Sequence, residues 1–378
     1  MAIYFDHNAT TPLEPRVLEA MLPLLRGTHG NPTSVHRFGR EARTALDRAR
    51  AQVAALVNAQ PPQVIFTAGG TEADNLALRG VCHGAPRGRL LVSSIEHAAV
   101  QETADALARD GWAVERIAVD DICCVDLHAL DKLLAGGARL VSVMLANNET
   151  GALQDVRTAA GLAHARGALL HTDAIQAAGK MPVDFTALGA DLLTLSAHKL
   201  NGPRGVGALI RNRRVDLAPQ MTGGGQEQGV RGGTENLAGI VGFGAAAELA
   251  RAELDARIRR MRALRDRLEA QLEQLPGLRI FAEHADRLPN TVQFGIGGYA
   301  GEWLVMELDR RGFAVSSGSA CHSGSGKPSH VLLAMGLDEV TARGAVRVSL
   351  GAENSADDVD ALLAALGAIT ARRRGAMA

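Results

Sequence analysis

What the sequence lacks narrows the field first. Its 378 residues hold four cysteines, Cys82, Cys123, Cys124 and Cys321. Their spacing forms no disulfide framework, and no C-x-x-C pair marks a zinc site. Cys82 and the Cys123-Cys124 pair fall in or near apolar segments and read as core residues. Net charge is nearly absent: 40 Lys and Arg against 41 Asp and Glu leave −1. That balance gives no bulk attraction for nucleic acid or a membrane surface. Long apolar runs are missing too, since 140–146 and the Ala-rich 244–250 are far too short to span a bilayer. Residues 1–5 run straight into polar ones and lack a signal-peptide core, so a cytoplasmic setting is expected. There is no internal repeat or low-complexity segment, and only the tail from Arg372 reads as disordered.

What is present is an ordinary globular balance, 47% hydrophobic and 21% charged, in a chain long enough for two large cores. A short strand at 1–5 leads into Asp6-His7-Asn8-Ala9-Thr10-Thr11-Pro12, a turn rich in hydrogen-bonding side chains. Pro15 opens a helix to residue 25, and 35–57 carries a helical pattern. Strands at 63–67, 89–93, 113–119, 139–146, 168–172, 191–195 and 206–210 then alternate with helices at 71–78, 97–109, 126–134 and 155–166. The alternation predicts an α/β fold with a doubly wound, mostly parallel sheet and an active site beyond the strands' carboxyl ends. Past Gly223-Gly224-Gly225 the texture changes. Thr234 is placed to cap a long helix reaching residue 275, with a bend near Gly242 or Gly244. Its arginine-dense second half reads as a solvated face. A boundary in this helix separates a large α/β domain, 13–255, from a smaller α+β domain, 256–378, completed by residues 1–12. The smaller domain has strands at 291–294 and 345–349.

The chemistry sits where the apolar runs stop. Residues 191–195 lead into Ser196-Ala197-His198-Lys199 and a Gly/Pro turn. An ammonium at the end of a buried strand is expensive to desolvate. One reason to place it there is attack on the aldehyde of pyridoxal phosphate. After 64–66 comes Thr67-Ala68-Gly69-Gly70-Thr71-Glu72, a glycine loop opening a helix, which suits either a plain turn or a phosphate. His97 follows another strand, and either caps a helix or stacks on a ring and moves protons. Asn147-Asn148-Glu149-Thr150-Gly151 is either a turn held by Asn or a set of uncharged donors. Asp173 ends a further strand, with Gln176 three residues on. Alone it reads as a helix cap; a buried carboxylate there also keeps a pyridine nitrogen protonated. Lys199 lies 26 residues beyond Asp173, one strand-helix-strand step. Each feature taken singly favours its plain reading, but five at successive strand ends favour bound pyridoxal phosphate.

With those residues in view, the chain resembles the cysteine desulfurases of the NifS/IscS type, in the class V aminotransferase branch of the fold-type-I PLP enzymes. The likeness runs from Phe5-Asp6-His7-Asn8 to Arg347-Val348-Ser349-Leu350-Gly351. It includes Ala68-Gly69-Gly70-Thr71-Glu72-Ala73-Asp74-Asn75, Glu96-His97, Asp173-Ala174-Ile175-Gln176, Ser196-Ala197-His198-Lys199 and Ser317-Gly318-Ser319-Ala320-Cys321. The resemblance implies that Lys199 carries the cofactor, Asp173 faces the pyridine nitrogen, Gln176 the ring hydroxyl, and His97 stacks on the ring. It assigns the phosphate to Gly70, Thr71, Ser196 and His198. Thr234 would reach the phosphate of a neighbouring subunit, which implies a homodimer. Asn148 and Arg347 would hold the substrate carboxylate. The sequence departs from the family at Gly232, where serine is common, at Asn201, where an aromatic or histidine is usual, and at His322, where serine or threonine is usual.

Cys321 separates a desulfurase from a plain aminotransferase. It lies among small residues between structured segments, a poor place for packing and a usable one for a nucleophilic thiolate. The reaction implied converts L-cysteine to L-alanine, holds the sulfur as a persulfide on Cys321, and passes it to an iron–sulfur scaffold or thiolation enzyme. Alternatives are selenocysteine lysis or transamination on the same cofactor, a nucleotide-binding protein using the glycine loops, and a silent sulfur carrier.

Overall fold

The computed structural model describes residues 2–27, 29–83, 85–318 and 328–377, with 372–377 as backbone only. The larger sheet has seven strands, in the order Val64–Thr67, Gly207–Arg211, Leu192–Ser196, Leu169–Asp173, Leu140–Ser142, Arg89–Ser93 and Ala113–Ile117. Six share one direction; Gly207–Arg211 is antiparallel to both neighbours. The cause is the short connection 197–206, which cannot make the crossover that a parallel partner needs. Central strands are covered on both faces and read as unbroken apolar runs, as in Leu192–Ser196, buried at every position. The α/β reading with a mostly parallel sheet holds.

Four antiparallel strands form a second sheet, ordered Ser316–Ser317, Ala345–Ser349, Thr291–Ile296 and Leu278–Ile280. Its core joins Phe294, Val346 and Val348 to Leu268 and Leu272 of helix Leu254–Leu272 and to Leu362 and Leu366 of helix Ala356–Met377. Phe5 is buried in the same cluster. It gets there because Ile3–Tyr4 pairs in parallel with Phe313–Ala314, and Asp6 bridges to Ser349. The start of the chain therefore crosses from the second sheet to the edge of the first. Cys82 and Cys123 are buried and Cys124 half-buried. Among the described residues no helix is long and apolar enough to cross a membrane.

Several expectations are corrected. Thr234 caps nothing: the helix starts at Leu237, and Asn236 accepts from Gly239 N at 3.2 Å. Asn serves as well as Thr at this position, and here it stands next to the first turn. The single long helix is two, Leu237–Ala252 and Leu254–Leu272, parted at Glu253 and not bent at Gly242 or Gly244. Those glycines serve close approach. A Cβ on Gly242 would sit 2.6 Å from Met21 Sδ, and one on Gly244 2.7 Å from Ala49 Cα. Helices Pro15–Arg26 and Arg37–Leu56 thus lie almost against its backbone. The tail from Arg372 continues the helix Ala356–Met377, as its alanines and arginines favour.

This division of glycines makes a paired prediction. Gly244→Ala gains helix propensity but drives a methyl into backbone, and should destabilise by about 1–3 kcal/mol. Gly161, in helix Val156–Ala165, has nothing within 4 Å of a built Cβ. Gly161→Ala should stabilise by about 0.5–1 kcal/mol. Urea midpoints of the two variants, moving in opposite directions from wild type, are the check.

Candidate active site

The common direction of six strands puts their carboxyl ends along one edge, where the polar residues gather. Asp173 closes the strand Leu169–Asp173, and its Oδ1 accepts from Ile175 N at 2.8 Å. That contact turns the chain just past the strand; Asp173 caps no helix. The adjacent parallel strand Leu192–Ser196 runs into the turn Ala197–Lys199, which sets Lys199 beside it. Lys199 Nζ donates to the carbonyls of Asn8 and, at 2.9 Å, Ala9. His97 does cap its helix, accepting from Ala99 N on Nδ1 at 3.1 Å, and this fixes the ring at the rim of a cavity.

That cavity measures about 330 Å³. It is lined by Gly70, Thr71, His97, Asn148, Asp173, Gln176, Ser196, His198, Lys199 and Arg347, so every sequence-predicted residue meets there except two. Thr234 is exposed and outside the lining. Cys321 lies outside the described residues. The described chain on either side of 319–327 is nonetheless informative. Ser316 pairs with Arg347 across the small sheet, and Ser329 donates to Glu149 Oε2 at 2.5 Å, next to Asn148.

At one end the cavity opens into a shallower recess shared by Gly70, Thr71, Ser196 and His198. The helix Gly70–Cys82 begins there, so its first N–H groups are unpaired donors. The backbones crowd closely: a Cβ on Gly70 would sit 2.2 Å from Ile175 Cδ1, and one on Gly207 2.6 Å from Gly69 C. Ser196 Oγ is buried with no hydrogen-bond partner. Glu72 braces the loop, accepting from Ala68 N at 2.8 Å and pairing with Arg231 at 2.8 Å. At the other end Arg347, 2% exposed, donates to Asp6 Oδ1 at 2.7 Å and to the Asn148 carbonyl at 2.9 Å. Among the described residues its Nε has no partner.

Three participants escape the motif reading. Asn8 joins Lys199, Gln176, Asn148 and Thr291 through its main-chain and side-chain groups. Asp74 lines the cavity, fully buried, with His171 Nε2 3.5 Å from its Oδ1. Lys180 lies behind it, bonded to Gln176 and Asn8. Asn8 stands in the hydrogen-bonding turn of the sequence, which was the available signal. Asp74 stands within the motif at 68–75, which assigns it no role, and Lys180 sits in a segment that looks like an ordinary one.

Burial dominates the electrostatics. It pushes Asp173 up to about 8, with the charge of Asp74 adding to the shift. Asp74 itself is pushed up to about 7 by burial. His198 is pushed down to about 4, by burial first and then by Lys199. The residues present fit a phosphorylated, aldehyde-bearing pyridine: an amine, an anion cradle with an orphaned hydroxyl, and a buried carboxylate in one cavity.

Comparison with known proteins agrees with this set. Residues 3–362 match the family described as aminotransferase class-V. The chain is 44% identical over 377 residues to the cysteine desulfurase of Gluconacetobacter diazotrophicus, covering 99% of this chain and 94% of that one. A solved structure titled NIFS-like protein superposes with a TM-score of 0.92 at 37% identity, covering 98% of this chain and 100% of that one. Another, titled SspA in complex with cysteine, gives 0.82 at 31%, covering 92% and 98%.

A pH-dependent cost follows from the carboxylates. In the unfolded chain they ionise near 4; in the folded, ligand-free chain they hold their protons to about 8 and 7. The penalty is absent below about pH 4 and grows until the folded groups have ionised. Asp173→Asn should therefore raise the thermal midpoint of ligand-free protein at pH 8 and leave it unchanged near pH 4. Equal shifts at both pH values would contradict the electrostatic cause.

Proposed function

We infer the reaction from a plain premise: the chain belongs to the class V aminotransferase family, among the cysteine desulfurases of the NifS/IscS type. It is a PLP-dependent cysteine desulfurase, acting on L-cysteine. The observation that carries this reading is that Lys199, Asp173, the Gly70 cradle and Arg347 share one cavity. The relative solved with cysteine supports the substrate.

Pyridoxal phosphate would be held by Lys199 through its aldehyde and by Gly70, Thr71, Ser196 and His198 through its phosphate. Asp173 would face the ring nitrogen, Gln176 the ring hydroxyl, and His97 the ring. Bound there, the cofactor supplies an electron sink for the bonds at the substrate's α-carbon. An ionised Asp173 at neutral pH requires a positive partner, which a protonated ring nitrogen provides; the raised pKa of the ligand-free carboxyl expresses that need. Arg347 and Asn148 receive the substrate carboxylate, and the unpartnered Nε of Arg347 suits that task. Lys199 takes the α-proton, and His97 moves protons at the rim. Cys321 as thiolate forms a bond to the substrate sulfur as the C–S bond breaks. The carbon takes a proton, L-alanine leaves, and a persulfide stays on Cys321.

Both described flanks of 319–327 border the residues assigned to the carboxylate, which supports Cys321 as the nucleophile. Thr234, exposed on one copy and tied by Arg231 to the Glu72 loop, would serve the cradle of a second copy in a homodimer. The persulfide sulfur would pass to an acceptor protein such as an iron–sulfur scaffold or thiolation enzyme.

Two substitutions test the assignment. Lys199→Ala should abolish borohydride-fixed cofactor and lower alanine formation by about 10²–10⁴-fold. Cys321→Ser should keep the visible cofactor band and lose sulfide and persulfide formation from L-cysteine. Undiminished sulfide release by the serine variant would refute the desulfurase reading.

A further inference from the structure

Lys180 is a buried amine that none of these roles uses. It is 5% exposed, and its hydrogen-bond partners are both neutral: Gln176 Oε1 at 2.8 Å and Asn8 Oδ1 at 3.3 Å. The charged and titratable groups around it come from three segments. They are Lys199 and His198 in the turn after Leu192–Ser196, Arg347 with Asp6 from the small sheet and the N-terminal turn, and His7 from that same turn. Two of these, Lys199 and Arg347, are cationic, and Asp6 is already paired with Arg347, so among the described residues in this set no free carboxylate offsets an ammonium at this place. Burial first, then Lys199 and Arg347, hold its pKa well below the ordinary lysine range.

Elementary donor and acceptor chemistry makes its contact with Gln176 directional. An ammonium only donates, and a main-chain carbonyl only accepts. Gln176 lies between the two, taking Lys180 Nζ on Oε1 and giving Nε2 to the Asn8 carbonyl at 3.0 Å. The amide can face only one way, which keeps its second N–H out of both contacts. Gln176 lines the cavity, and the Asn8 carbonyl that orients it also accepts from Lys199. One buried amine thus sets the amide, and the amide shares its anchor with the proposed cofactor lysine.

We propose that Lys180 is a positioning residue of this site: it locks the Gln176 amide as a donor toward the cavity and lends a buried positive charge that favours an anionic ligand. The proposal rests on the reading of the cavity as a pyridoxal phosphate site. It concerns a residue that touches the ligand's neighbours and not the ligand.

Lys180→Met keeps length while removing donor and charge, and two measurements read it. In the cofactor-loaded enzyme, loss of a nearby positive charge should move the pH titration of the visible band upward by about one unit. In the cofactor-free chain, a buried lysine with a lowered pKa costs stability as pH falls below the unfolded value near 10.4. The variant should therefore unfold at a higher temperature than wild type at pH 7, with the gain shrinking toward pH 10. A merely structural lysine predicts the reverse: an unmoved band and a less stable, or unfolded, cofactor-free variant. Either result overturns the proposal. If wild type itself shows no visible band on adding pyridoxal phosphate, the cofactor reading fails, and the cofactor-free stability still decides whether Lys180 is a strained charge.

Discussion

The organising constraint is that this protein gathers titratable groups at the buried end of a sheet. Asp173 and Asp74 lie under the cavity with few hydrogen bonds, and Lys180, Lys199 and Arg347 lie around it. Interiors tolerate such groups only when paired or neutralised. Arg347 has Asp6, and Lys180 faces the neutral oxygens of Gln176 and Asn8. An ion pair between the two sets inside the protein would be the cheap solution, and it would leave no room for a zwitterionic ring bearing a phosphate. The cavity keeps the two signs apart, anionic beneath and cationic at the sides, in the pattern such a ring would complete.

Keeping buried titratable groups in place requires a scaffold that does not relax around them. The parallel sheet supplies it. Asp173 and Lys199 descend from adjacent strands buried on both faces, and His171, one turn of the pleat below, is itself fully buried between Ser142 Oγ at 2.9 Å and Thr194 Oγ1 at 3.0 Å. The N-terminal turn supplies the rest. Asn8 donates to Thr291 of the small sheet and to the Asn148 carbonyl in the turn beyond the large sheet's Leu140–Ser142, while its own carbonyl receives Lys199 and Gln176. Arg347 reaches the cavity from the small sheet and is held by Asp6, two residues before. The two sides of the cavity are thus held in register by a single short segment, which follows the two-residue strand Ile3–Tyr4.

The sequence was most legible where one physical requirement acts alone. Buried strands must be apolar, so their positions were readable, although Leu140–Ser142 is far shorter than its apolar run, because residues 143–146 bend away to carry Asn147 and Asn148 over the cavity. The site was legible because strand ends bearing His97, Asp173 and Lys199 are conspicuous against apolar flanks. Two kinds of feature were hidden. Short elements of the small unit, such as Leu278–Ile280 and Phe313–Ala314, have too few residues to show a period and exist only through their partners. Glycines in a helix look like weak points, and Gly242 and Gly244 read as a bend; only the neighbouring helices reveal that they mark contact. Lys180 was hidden for a related reason, since a lysine after a glycine looks solvated until three elements close over it.

The two sides of the cavity differ in how they are built, and the chemistry explains the difference. A cofactor must stay in one pose through every turnover, so its proposed ligands come from strand ends, a helix N-terminus and a buried amide with both ends fixed. In the proposed reaction, sulfur must instead be taken from the cavity and delivered to another molecule. A nucleophile with two destinations gains nothing from a strand. Cys321 belongs to a run of small residues, and the described chain anchors that run at its ends, through the Ser316 pairing with Arg347 and the Ser329 contact with Glu149. Glu149 is itself buried and also accepts from Gln293 of the small sheet at 3.2 Å. Both anchors therefore tie the described ends of that run to residues that flank the proposed carboxylate site.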